Sequence, residues 1–142
     1  MKNVMKKLNK KGFTLAELLI VVAIIAVLVA ISIPIFTKQL ERARDAVTVS
    51  NIRAAYAMSQ TAYLTQQDDT ANGVTYDGTA GTVTVTGVVS KGTIDGWSGT
   101  IDDLVVKTQV EAGCGAMANT AGTYTLTFTY DTDGKITTIV AA

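Results

Sequence analysis

The sequence predicts an α+β protein, with one long N-terminal helix and a small antiparallel β-sheet head packed on the second half of that helix. Three observations predict it. Between Phe13 and Asn72 there is no glycine and a single proline, Pro34, whereas eleven glycines lie after Ala71. Nineteen threonines fall after Gln60, many of them alternating with apolar residues. Residues 18–31 form an unbroken run of fourteen apolar side chains. A glycine-free stretch rich in Ala, Leu, Arg and Gln favours helix, while Thr and Gly with alternating polarity favour strands and turns. Four segments follow: a basic leader at 1–12, a hydrophobic helix at 13–36, an amphipathic continuation at 37–66 and a Thr/Gly-rich β head at 67–142.

The formal charge of zero hides an asymmetry. Lys2, Lys6, Lys7, Lys10 and Lys11 precede every acid, and without them seven basic residues face twelve acidic ones. A mildly acidic body lacks the clustered Lys and Arg that phosphate neutralisation needs, so no specific nucleic-acid partner is expected. Residues 13–36 carry one charge, Glu17. That length spans a hydrocarbon core of ~30 Å at ~1.5 Å per residue. The lysines ahead of it place the N-terminus in the cytoplasm and the rest outside.

Beyond the apolar run, Leu40, Ala43, Val47, Ile52, Tyr56, Ser59 and Tyr63 recur at three- and four-residue steps, an apolar stripe that should hold the head. Glu41, Asp45, Lys38 and Arg42 are then expected on the opposite, charged face. Pro34 removes one helical N–H and crowds the turn at Ala30, so a helix break is expected there. In the head, residues 123–130 alternate Thr with Tyr124, Leu126, Phe128 and Tyr130. Residues 131–134 read as a turn and 135–140 as the return strand. Val83 and Val85 between threonines suggest a third strand, 101–107 a fourth, and 87–100 a loop around Trp97.

Chemistry-bearing groups are few. The chain has no histidine, which removes the commonest general base and metal ligand. Cys114 is a lone cysteine, so no intrachain disulfide or Cys-based zinc site can form. Asp131 and Asp133 lack the remaining ligands of a calcium loop, and a hairpin turn explains them. No catalytic residue, cofactor or metal site is expected, and the chain does not read as an enzyme.

Three readings of the N-terminus compete. A secretory signal peptide cut near Ala30-Ile31-Ser32 leaves the carboxylate of Glu17 unexplained, and so does a passive membrane tether; an acid in lipid marks a functional site. The third reading rests on Lys10-Lys11-Gly12-Phe13-Thr14-Leu15-Ala16-Glu17, which resembles the cleavage motif of type IV prepilins and related pseudopilins. The resemblance implies a cut by prepilin peptidase between Gly12 and Phe13, N-methylation of Phe13, and Glu17 as the acid that sets assembly register with the amine of Phe13. Gly12, without Cβ, suits an extended backbone in a peptidase cleft. It further implies a subunit stored in the cytoplasmic membrane among lipid, then polymerised with copies of itself into an extracellular pilus by an assembly platform and motor. Helix around Pro34 would stretch on assembly. A pseudopilin of a secretion or DNA-uptake machine is the alternative, and a non-polymerising surface binding protein the second.

Overall fold

The structure, a computed structural model, describes residues 12–93, 96–97 and 101–142. Leu15–Thr65 form a 51-residue helix, α1, which crosses the boundary between two compact units, Met1–Thr37 and Lys38–Ala142. It continues through Pro34, so the break expected there is absent: the helical assignment is unbroken across the ring. Hydroxyls take up nearby carbonyls, Ser32 Oγ donating to Leu28 O at 2.7 Å and Thr37 Oγ1 to Pro34 O at 3.1 Å. The helix stops one residue before the expected Gln66. Gln66 turns to φ 55°, and the Gln67 N–H closes back on Ala62 O at 3.3 Å, a six-to-one closure that ends a helix without glycine.

In the second unit a four-stranded antiparallel sheet has the order β1-β2-β3-β4, from β1 (Val74–Asp77), β2 (Thr82–Ser90), β3 (Gly122–Tyr130) and β4 (Ile136–Ala141). The alternation works as expected: Val83, Val85, Leu126 and Phe128 are buried, and their threonine neighbours lie on the other face. Ile52, Ala55 and Ala62 of α1 join the same core, and Tyr63 stacks on Tyr130 at 4.0 Å. Each fully buried large apolar side chain contributes about 1.5–3 kcal/mol. The expected turn joins β3 to β4, with Gly134 N–H donating to Asp131 O at 3.0 Å.

Three sequence expectations need correction here. The fourth strand is β1, and not 101–107, where Ile101 and Leu104 are buried one turn apart and Leu104 N–H bonds to Ile101 O. That segment leads into a short helix, α2 (Lys107–Gly113), followed by α3 (Gly115–Asn119). The expected loop at 87–100 starts later, because Gly87 (φ 79°) sits at a β-bulge inside β2 and the strand runs on to Ser90. Residues 94, 95 and 98–100 of that loop lie outside the described residues. The third correction concerns α1: Leu40, Ala43 and Val47 are exposed, while Glu41, Asp45 and Thr48 are buried. The cause is the end of β2 and the chain after it, which lay polar groups on this part of the helix. Thr48 Oγ1 accepts from Lys91 N–H at 2.9 Å, and Asn51 Nδ2 donates to Val89 O at 2.7 Å.

Both outer strands of the sheet are covered. The outward N–H groups of β1 are taken, Val74 by Asp69 O at 2.9 Å and Tyr76 by Asp68 Oδ1 at 2.7 Å. Against β4, Gln109 Nε2 donates to Ile136 O at 3.3 Å, and Gly113 lies so close to Ile139 O that a Cβ there would clash with it. An uncovered edge strand would invite another chain to pair with it.

Two predictions follow from this packing, both for the full chain in detergent. Gly113→Ala forces β4 backbone to move and should destabilise by about 1–3 kcal/mol, lowering Tm by several degrees. Gly115→Ala, with open space at its Cβ position, should leave Tm unchanged or raised. Equal Tm values for the two variants would contradict the close approach. Cys114 is fully buried, and burial pushes its thiol up to about 11. It should therefore resist iodoacetamide at neutral pH until the head unfolds, and reductant should not change Tm. The stability linked to this shift is fully present below the ordinary thiol range and lost as pH rises toward about 11. Rapid stoichiometric alkylation of the native chain would refute the burial.

Candidate processing and assembly segment

The N-terminal site is built from a helix start. Gly12, Phe13 and Thr14 lie outside the helix, and α1 begins at Leu15. Thr14 is the N-cap: its carbonyl accepts the first helical bond, from Leu18 N–H at 3.1 Å. Its side chain and that of Glu17 satisfy each other's backbone. Glu17 Oε2 accepts from Thr14 N–H and from Thr14 Oγ1, both at 2.8 Å, and Glu17 N–H donates to Thr14 Oγ1 at 3.2 Å. This reciprocal arrangement is a capping box. Negative charge is also favoured at a helix N-terminus by the aligned peptide dipoles.

The sequence-predicted residues therefore fall into two groups. Gly12, Phe13 and Glu17 sit within one turn of the helix start, with Phe13 90% exposed and open space around the Cα of Gly12. Pro34 lies far along the helix and takes no part in this cluster. The leader lysines, Lys2 to Lys11, lie outside the described residues. Thr14 was missed by reading Glu17 only against the amine of Phe13. The Thr-x-x-Glu spacing was the available signal.

After this start, the large apolar side chains from Phe13 to Phe36 are all 48–90% exposed. Apolar residues cover every side of the helix, so this unit has no face suited to water. It is long and apolar enough to cross a membrane.

The head holds a second polar cluster that sequence reading could not find. Buried Glu41 accepts from Thr93 N–H at 2.6 Å and Thr93 Oγ1 at 2.8 Å, while Arg44 Nη1 reaches both Glu41 (3.4 Å) and Thr93 (2.9 Å). Ser90 Oγ continues the seam to Met117 O. These partners are 52 residues apart for Glu41 and Thr93, beyond any local pattern. The cluster fastens the chain after β2 to α1. Asp131 is likewise occupied as a turn residue, its Oδ1 accepting from Asp133 N–H at 3.0 Å and Lys135 N–H at 2.8 Å. Among the described residues no group of three or more His, Cys, Asp or Glu could hold a metal ion.

Comparison with known proteins places the N-terminal geometry. A family model described as the prokaryotic N-terminal methylation motif matches residues 7–33. The type IV major pilin of Myxococcus xanthus is 42% identical over 60 residues, 42% of this chain and 27% of that one. The wide pilus major component of Thermus thermophilus is 41% identical over 64 residues, covering 45% of this chain and 49% of the relative. The narrow pilus major component of the same organism is 46% identical over 55 residues, covering 37% and 47%. The chain thus spans about half the length, or less, of these curated relatives. No solved structure matches it. With the methylation motif at the start of a long apolar helix and these relatives, the N-terminal part of the chain is similar to the type IV pilin family.

Proposed function

We propose that the chain is the precursor of a structural pilin, which inserts in the cytoplasmic membrane through residues 13–36, is cut after Gly12 and N-methylated at Phe13, and polymerises into an extracellular pilus. The observation that carries this reading is the first unit of α1, an exposed helix that is apolar on all sides with one acid near its start. Water cannot solvate such a surface, so lipid or neighbouring helices must cover it. Lipid serves the stored subunit and other copies serve the filament. The covered sheet edges support the helix, rather than strand addition, as the polymerising element. A relative named as a major pilin and two named as major pilus components support a pilus over a pseudopilin assembly. Prepilin peptidase, an assembly platform and a motor are the partners this requires. The role is structural, and no catalytic residue enters it.

In this reading Glu17 meets the amine that cleavage creates at Phe13, in the same or an adjacent subunit. A buried pair of this kind enforces alignment because a docked subunit with either charge unpaired is strongly disfavoured. Processing is checked by intact mass spectrometry of filaments, which should give a chain starting at N-methyl-Phe13. A start at Ile33, or the uncut chain from Met1, would overturn the reading. Glu17→Val should still insert but yield few or no sheared filaments, and normal piliation with this variant as the sole copy would remove Glu17 from assembly.

A further inference from the structure

We propose that Thr14 is the positioning residue for Glu17, holding the carboxylate on its own chain until a neighbouring subunit is in register. The inference rests on the pilin reading above and adds a residue and a step to it. Before cleavage, position 13 offers a peptide nitrogen and no cation, so the ion pair expected of the mature subunit cannot yet exist. The carboxylate nonetheless has its partners. Two donors from Thr14 reach the same Oε2 at 2.8 Å, and the Thr14 hydroxyl accepts from Glu17 N–H at 3.2 Å. Residues 13–36 offer no other charge to pair with it. An acid left without partners in a membrane helix is costly, and hydrogen bonds from the same chain remove that requirement for a second subunit.

The consequence is a defined starting geometry. Thr14 ties Oε2 to the helix start, one residue from the nitrogen that cleavage turns into an amine. When Gly12 is cut away, the new cation appears beside a carboxylate already facing the N-terminal end. Docking then exchanges hydroxyl and amide partners for the amine of another copy, without first recovering the acid from random rotamers. The threonine hydroxyl supplies two of the three bonds, so its removal tests the idea while leaving the charge of Glu17 in place.

Full-length Thr14→Val, Thr14→Ser, Glu17→Gln and Glu17→Val are each expressed as the sole copy, and insertion, mature mass and sheared filament yield are measured. Thr14→Val should be inserted and cut normally yet give about fivefold fewer filaments, the ratio expected for loss of a capping hydroxyl. Thr14→Ser should restore the yield. Infrared spectra of the membrane-inserted chain with ¹³C-carboxyl glutamate, differenced against Glu17→Gln, isolate the Glu17 carboxylate band. That band should shift in Thr14→Val and return in Thr14→Ser together with the filament yield, whereas a purely structural cap would move the band without changing the yield. Wild-type yield from Thr14→Val, an unmoved band, failure of Thr14→Ser to rescue, or an uncut Thr14→Val precursor would each overturn the positioning role. Loss of filaments in Glu17→Val with none in Thr14→Val overturns this proposal alone. Normal filaments from Glu17→Val overturn the assembly role beneath it.

Discussion

An α-helix satisfies its own backbone but leaves its side chains to the medium, and residues 15–37 of α1 offer that medium no charge except Glu17. Everything particular to this protein follows from that. An apolar surface on all sides demands a continuous apolar environment. The single acid is the one charge along that surface. Hydrophobic contact is non-directional and tolerates sliding. A carboxylate seeking a donor does not.

The second half of α1 solves a different problem with the same backbone. From Ile52 onward it meets the sheet through Ala55, Ser59 and Ala62, small residues that let the helix approach closely while Ile52 fills the core. Ser59 Oγ lies 2.8 Å from the hydroxyl of Tyr130, giving that buried phenol a partner. Nearer the N-terminus the contact turns polar, because the chain leaving β2 has backbone groups to satisfy and Glu41, Thr48 and Asn51 satisfy them. A buried polar contact of this kind adds little net stability but is expensive to break, which makes it a means of fixing one arrangement. The face left outward there carries Leu40, Ala43 and Val47.

The sheet contributes by what it withholds. Short β1 has its outward donors occupied by Asp68 and Asp69, and β4 is shielded by Gln109 and the close approach of Gly113. A chain with an open strand edge would risk pairing through it. With those edges covered, the self-association proposed above falls to the helix that carries Glu17.

By itself the sequence determined the elements whose signals are local. Fourteen consecutive apolar residues, the absence of glycine from 13 to 71, and the alternation at 123–129 each reflect a period set by backbone geometry, so the helix, the β3–β4 hairpin and the α+β class were legible. The Gly12-Phe13 junction and Glu17 lie within one turn of chain, inside the stretch that the methylation-motif model matches. Thr14, which caps the helix with Glu17, was equally local and was passed over in favour of the amine expected at Phe13. Tertiary structure alone decided which face of α1 between 38 and 50 turns inward. Helical periodicity there offered an apolar stripe through Leu40, Ala43 and Val47, and the polar stripe through Glu41, Asp45 and Thr48 won because the segment after β2 brought donors to it. The same holds for 101–107, where burial one turn apart, rather than alternation, answers to the surface it packs on. A period tells which residues share a face; only the partner laid against the helix decides which face is buried.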